Sequence, residues 1–404
     1  MSEGTIVAAA EIGTSKVAVL IGHVSEAGRL GIIGHGLCSS RGVRKGAIYD
    51  LRAVLDCLQS AIELAETRAS VSVENLFLAQ SGSHLQGQFI EGIANVRNAN
   101  GIVQQEDVER ACSDAKGKMP PNDRIWVVHI RNPFRIDERV VEEPIGEQGS
   151  RLSAGYWSVS GKRKIISDQI RLLNGIAIEV EDLILASTAS AEAVLQTSEK
   201  RSGCIVLDVG GGSTDYVFYK DGFIVRAGVI PVGGDHITND LSVGLRINSR
   251  WAENLKKEHG CALARTEDKE RKVWAHGDHS IGDRECYLQS VHAIIEARVR
   301  ELFEIVRKEW VSVLGDSKPG SGVVLTGGTS RLSGIEELAA KVFATHVRIG
   351  TPPNGVEKAI AGVEYSTCIG LLMYASRNDT IAGGGPRPVA ATGLLRKLTG
   401  LFKS

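Results

Sequence analysis

Two carboxylates bracket three consecutive glycines in Asp208-Val-Gly-Gly-Gly-Ser-Thr-Asp215, and that spacing decides which chemistry the chain can attempt. Gly210, Gly211 and Gly212 have no Cβ, so their main-chain N–H groups can come close to an anion. Ser213 and Thr214 add hydroxyl donors, and Asp208 and Asp215 can hold a divalent metal directly or through its waters. The ligand suited to this combination is a phosphate with its metal. An apolar run at 205–207 leads into Asp208 and an extended pattern resumes at 216–219, so the element reads as strand, glycine turn, strand. A P-loop is excluded, because neither Gly-Lys-Ser/Thr nor a helix opening follows the glycines. The motif alone also fits a glycine hairpin without a ligand.

A similar element stands at the N-terminus. Residues 5–10 read as a strand, Glu11-Ile-Gly-Thr-Ser-Lys16 as a turn, and 17–22 as the returning strand. Gly13 supplies the turn, while Thr14, Ser15 and Lys16 can face a phosphate. Ile230-Pro-Val-Gly-Gly-Asp235 runs from a strand into a helix, placing Gly233 and Gly234 where an anion would meet a helix N-terminus. On the next helix, 250–259, Glu253 and Lys256 stand at i, i+3, as a surface ion pair or as a nucleoside contact. A buried strand ends at Thr326, and Gly327, Gly328 and Thr329 offer bare main chain against which an adenine and ribose can lie. Ser333 is the expected cap of a helix opening near Gly334.

The other elements must position these motifs. An amphipathic helix is expected over 51–68 with Asp50 as its N-cap. Residues 71–160 read as short strands (75–81, 87–95, 125–131) and one helix (106–116), closed by a loop over 132–145; they carry no catalytic constellation. A helix over 182–195 is rich in small residues, Ala186, Ala189 and Ala193, with Glu192 as its one internal charge. Residues 265–284 read as polar loop, where His276, Asp278 and His279 lack a completing ligand set. A long helix over 293–314 has a basic face of Arg298, Arg300, Arg307 and Lys308. A last helix over 364–375 again carries small residues, Ser366, Thr367 and Gly370.

Composition narrows the class. With 404 residues the chain can bury one large or two medium cores, and a net charge of −1 gives no general attraction to nucleic acid. Seven scattered cysteines, never spaced C-x-x-C, argue against a disulfide framework and suit a reducing cytosol. No apolar run reaches the length of a membrane span, and no signal peptide is expected. The end of the chain differs in character. Residues 379–392, with Gly383, Gly384 and Gly385, read as a linker. On a helix over 393–404, Leu394, Leu395, Leu398, Leu401 and Phe402 share one face, opposite Arg396, Lys397 and Lys403. That pattern fits an interfacial helix on anionic lipid, weak singly and firm in several copies.

The two hairpins resemble the phosphate loops of the actin, hexokinase and heat-shock-chaperone ATPase superfamily, whose first loop usually reads Asp-x-Gly-Thr where this chain has Glu11. The whole series, including Ala189-Ser-Ala-Glu-Ala-Val-Leu195, Ile294-Ile-Glu-Ala-Arg298 and Pro144-Ile-Gly-Glu-Gln-Gly-Ser-Arg-Leu152, resembles the FtsA family of bacterial cell-division proteins. The resemblance implies an α/β, actin-like (ribonuclease H-like) two-domain fold with a nucleotide cleft between the domains and an inserted α+β subdomain. The first domain (1A) would take 1–82, 161–200 and 365–378, and the insert (1C-like) 83–160. The second domain (2A) would take 201–234 and 316–364, and a helical lobe (2B) 235–315. It implies ATP and Mg2+, with Glu11 and Asp208 at the metal and Glu192 near the attacking water. Gly13, Thr14, Ser15, Lys16 and Gly210 to Thr214 would hold phosphates, and Gly233, Gly234, Glu253, Lys256, Gly327, Gly328 and Thr329 the nucleoside. Turnover would be slow at most, given Glu11. Expected partners are the acidic FtsZ tail on the 293–314 helix, other copies of the chain, other division proteins and anionic inner-membrane lipid, placing it on the cytoplasmic side of that membrane at midcell. Rival readings are a PilM-like pilus-assembly ATP-binding protein and a small-molecule kinase of the superfamily. A chaperone lacks room for a substrate domain.

Overall fold

The computed structural model describes residues 4–121, 123–275, 282–353 and 356–381. In chain order it begins with β1 (Gly4–Ile12), β2 (Lys16–Ser25), β3 (Leu30–Ser39), the short pair β4 (Val43–Arg44) and β5 (Ala47–Ile48), α1 (Leu51–Ala69) and β6 (Asn75–Gln80). Next come β7 (Gln86–Asn95), α2 (Gln105–Gly117), β8 (Arg124–Ile136), β9 (Arg139–Val141) and β10 (Arg151–Lys162). Then follow α3 (Arg163–Asn174), β11 (Glu179–Leu185), α4 (Ala186–Val194) and α5 (Thr197–Ser202). The second half runs β12 (Cys204–Val209), β13 (Thr214–Lys220), β14 (Phe223–Ile230), α6 (Gly234–Leu245), α7 (Ser249–His259), β15 (Lys272–Ala275), β16 (Arg284–Tyr287) and α8 (Leu288–Leu314). It closes with β17 (Val323–Thr326), α9 (Ile335–Phe343), β18 (Val347–Ile349) and α10 (Ser366–Ile381).

One sheet plan is used twice. The first sheet has the order β11-β6-β1-β2-β3 and the second β14-β13-β12-β17-β18. In each, three consecutive strands form an antiparallel meander, and two later strands add in parallel beside the first of them. Parallel strands need helices on their faces, and their near-continuous apolar runs are buried accordingly: Ile205 to Leu207 and Val323 to Leu325 are at most 1% exposed. Two large cores form, one around each sheet, and a third smaller core lies within the four-stranded sheet β7-β10-β8-β9 that α2 covers. This is the mixed α/β, actin-like arrangement with an inserted α+β module.

Local signals explain most elements. Asp50 caps α1 by accepting from the Ala53 N–H at 3.1 Å, satisfying one of the open donors of the first turn. Several expectations are corrected. The strand expected over 125–131 runs on to Ile136 through Pro133, and β9 occupies part of the expected closing loop. Pro133 is tolerated because it falls at the register shift opposite Gly155, where no ladder donor is needed. Residues 182–185 belong to β11, a buried strand beside β6, so the helix begins only at Ala186. The polar stretch 265–284 contains a 3-10 turn and the paired strands β15 and β16; His276, Asp278 and His279 lie outside the described residues. Ser333 caps nothing: Gly334, at φ 73°, stands at the head of α9, while the Ser333 carbonyl accepts from Ala262 at 2.7 Å. α10 continues to Ile381, into the first residues of the linker expected over 379–392, and the rest of that linker and the amphipathic 393–404 segment lie outside the described residues.

Candidate nucleotide site

Both glycine hairpins are closed by the same bond. Gly13 N–H donates to the Lys16 carbonyl at 2.9 Å, and Gly210 N–H to the Ser213 carbonyl at 3.0 Å. The two turns meet directly. A Cβ on Gly211 would stand 1.9 Å from Ser15 Oγ, and one on Gly212 2.4 Å from Thr14 Oγ1, so only glycine lets the loops approach this closely. Between them opens a cleft of about 690 Å³, of the size that takes a nucleotide.

The helix behind the second turn orients it. Gly234 and Asp235 N–H groups donate to the Gly210 and Gly211 carbonyls at 2.9 and 2.8 Å. With planar trans peptides, a carbonyl turned toward α6 sends the next residue's N–H the opposite way. The Gly211 and Gly212 amides therefore point away from α6, and both residues line the cleft. This revises the expected role of Gly233 and Gly234. The first amides of α6 are spent on bracing the loop, and Gly233 is absent from the cleft wall, whereas Gly234 lines it. Thr214 is also withdrawn: it is fully buried and donates to the Val232 carbonyl at 2.8 Å.

Three carboxylates face the cleft under different restraints. Glu11 pairs with Lys16 at 2.8 Å. Burial works against the Lys16 charge, yet Glu11 holds its ammonium above the ordinary lysine value. Among the described residues Asp208 has no cation bonded to it; Ser190 donates to its Oδ2, and Thr367 does so at 3.0 Å. Burial, then the Glu11 charge, pushes the Asp208 carboxyl up. Asp215 sits opposite Asp208 across the β12–β13 ladder and accepts from Ser81 at 2.6 Å. Burial and the neighbouring Asp208 raise it well above the usual carboxylate range. A divalent cation bridged by water would relieve this repulsion, so the donor set fits magnesium, although no group of three or more ligating side chains converges among the described residues.

At the other end of the cleft, Gly327 adopts φ 83°, and a Cβ there would lie 2.2 Å from Asp208 Oδ1. Gly328 has open space where its side chain would be. Thr329 donates to the Gly210 carbonyl at 2.9 Å, tying this turn to the phosphate loop. Glu253 and Lys256 line the wall as a pair 2.6 Å apart. Lys256 also donates to the Gly234 carbonyl and Thr238 Oγ1 at 3.0 and 2.8 Å, which occupies all three of its protons. Burial opposes the Glu253 charge, but bonds from Lys256 and Thr238 outweigh it and hold the carboxyl below its usual value.

Glu192 is not part of this site. It lies six residues beyond Ala186, about 9 Å along α4, and pairs with Lys200 at 2.5 Å and with Arg377. The basic face of α8 is likewise reduced, because Arg298 chelates Asp240 and Arg300 pairs with Glu296. Arg307 and Lys308 are exposed, without an ion pair among the described residues. Ser81, Ser190, Thr367, Gly46, Gln169 and Arg331 were missed as site residues. Only the small-residue pattern around Ser190 and Thr367 pointed toward any of them.

Comparison with known proteins gives this geometry a lineage. A family model described as cell division protein FtsA matches residues 205–370, and one described as the SHS2 domain inserted in FtsA matches 82–160. The cell division protein FtsA of Pseudomonas aeruginosa is 33% identical over 386 residues, covering 94% of this chain and 91% of the relative. That of Bacillus subtilis is 32% identical over 387 residues, covering 95% and 86%. The chain belongs to the FtsA family of cell-division proteins. Among solved structures, a PilM–PilN type IV pilus biogenesis complex aligns with TM-score 0.64 at 15% identity, covering 92% of this chain and 98% of that one. MreB5 of Spiroplasma citri bound to ADP aligns with TM-score 0.57 at 12% identity, covering 94% and 99%. These two likenesses carry the actin-like fold and nothing finer. The inserted four-stranded module is the family's SHS2 domain. Among the described residues, no helix is long and apolar enough to cross a membrane.

Proposed function

We propose that the chain binds ATP with Mg2+ between its two glycine hairpins and, so loaded, polymerises with its own copies on the cytoplasmic face of the inner membrane. There it would hold the FtsZ division ring at midcell and meet other division proteins. The observation that carries this reading is the opposed pair of hairpins, with the Gly211 and Gly212 amides turned away from α6 and three carboxylates close by. Gly13, Thr14, Ser15 and Lys16 would hold the phosphates from one side and Gly210 to Ser213 from the other. Gly234, Glu253, Lys256, Gly327, Gly328 and Thr329 would line the nucleoside. Magnesium, when bound, would neutralise phosphate charge near Glu11, Asp208 and Asp215. Hydrolysis would be slow, because Glu11 is tied to Lys16 and Glu192, paired with Lys200, stands outside the cleft, leaving neither carboxylate placed to direct a water. The division into 1A, 1C-like, 2A and 2B parts given above belongs to the same proposal.

The α8 face is the proposed dock for an acidic FtsZ tail, now centred on Arg307 and Lys308. The membrane contact is assigned to 393–404 on its sequence pattern. Electron microscopy on an anionic lipid monolayer tests assembly: filaments with ATP are expected, and their absence with and without nucleotide would defeat it. Removing 393–404 should release the chain from anionic liposomes, and unchanged co-sedimentation would defeat the anchor.

A further inference from the structure

The sequence showed small residues on two helices, and close packing alone does not explain why some of them bear hydroxyls. α4 and α10 cross so tightly that a Cβ on Gly370 would stand 1.7 Å from the Ala189 carbonyl oxygen. Ser190 follows Ala189 directly, and Thr367 lies three residues before Gly370, on the same helical face. The crossing therefore brings their hydroxyl oxygens to 3.0 Å. Both groups donate to the same oxygen, Asp208 Oδ2, with Thr367 at 3.0 Å. Each hydroxyl has one proton, so with both spent on the carboxylate the Ser190–Thr367 contact is one of packing. Ser190 is fully buried and Thr367 is 3% exposed. On its other side, Asp208 Oδ1 abuts Gly327, where any side chain would collide with it. The carboxylate is thus bonded at Oδ2 and crowded at Oδ1 by elements outside its own hairpin.

We propose that Ser190 and Thr367 are positioning residues that set the aim of Asp208 toward the metal, and that the α4–α10 crossing at Ala189 and Gly370 sets theirs. The inference rests on the nucleotide reading of the cleft. It makes metal engagement depend on the packing of two helices instead of on the phosphate hairpin alone. A shift of one helix against the other would redirect the carboxylate without moving β12.

The test uses the full chain and a fluorescent ATP analogue, measured in EDTA and across a Mg2+ titration, with thermal melts as a control for folding. Ser190→Ala and Thr367→Val should each raise the Mg2+ concentration at half-effect by about tenfold, as expected for losing a hydrogen bond to a charged group. Analogue affinity in EDTA is the baseline for each variant, and the Mg2+ midpoint should shift further than that baseline does. Thr367→Ser, which keeps the hydroxyl, should restore most of the Mg2+ response, whereas a purely structural role would not distinguish it from Thr367→Val. An unchanged Mg2+ midpoint in the folded Ser190→Ala, Thr367→Val double variant would overturn the clamp while leaving nucleotide binding intact. Failure of the unaltered chain to bind the analogue at all would overturn the nucleotide reading, and the clamp with it.

Discussion

The two halves of the molecule share a sheet plan and a hairpin, yet they hold their carboxylates by opposite means. Glu11 is neutralised within its own hairpin by Lys16 at 2.8 Å, and stands one residue before the last of β1. Asp208 occupies the corresponding place before the end of β12 and, among the described residues, bonds to neutral hydroxyls from α4 and α10. The first loop thus carries its own counter-charge, while the second has none bonded to it among the described residues. The difference in function lies in what surrounds each carboxylate.

The glycines give the sharpest way to break that contrast. Gly212→Val would force a branched side chain into Thr14, and binding of a fluorescent ATP analogue should fall by about 100-fold or more. The nearest obstacle to a Cβ on Gly13 is the Lys16 carbonyl oxygen at 3.0 Å, and its φ is not positive, so Gly13→Ala should cost less than about tenfold. Equal losses at the two positions, by equilibrium titration, would mean that the turns are equivalent walls and that the second is no special cradle.

The outer strands repeat the asymmetry in a form that pH can read. On β18, Arg348 is held by Glu199 at 2.7 Å. On β11, Asp182 is 3% exposed and, among the described residues, accepts from the Leu183 N–H at 2.8 Å. Burial pushes its carboxyl up to about 6. The folded state then binds more protons than the unfolded one between about pH 4 and 6, so stability falls as pH rises through that window and is level above it, by about 3 kcal/mol in all. Asp182→Asn removes the titration. Urea denaturation should find the variant more stable than the parent at pH 7.5 and nearly equal at pH 4. A difference independent of pH would show that Asp182 does not titrate in this window.

What could be read from sequence divides along the same physical line. Hairpins, glycine turns and amphipathic helices announce themselves through local composition, and Asp208 to Asp215, Glu11 to Lys16 and α1 lay where their patterns put them. Long-range partners leave no local trace. Ser81 reaches Asp215 across 134 residues and Thr367 reaches Asp208 across 159. Glu192 was misplaced for the complementary reason: its charge was visible, but Lys200 and Arg377, which neutralise it, were not. The last four residues of β11 were read as helix because Leu183 to Leu185 is a short apolar run, for which periodicity does not separate the two states.

The carboxylates themselves offer the finest test of the contrast, because neutralising each environment should move stability in opposite directions. Lys16→Met removes the partner of Glu11 and leaves a partly buried carboxylate beside Asp208 and Asp215, which should cost about 2 kcal/mol of unfolding free energy. Asp208→Asn removes a buried charge while its side-chain oxygen still accepts from Ser190 and Thr367. It should raise stability by about 1 kcal/mol while weakening Mg2+-dependent ATP binding. The opposed signs matter more than the sizes. If Asp208→Asn destabilised the chain as Lys16→Met does, Asp208 would be a structural anion already balanced in the folded protein. If it stabilised the fold and lost the metal response, the second hairpin carries strain that only a bound cation relieves.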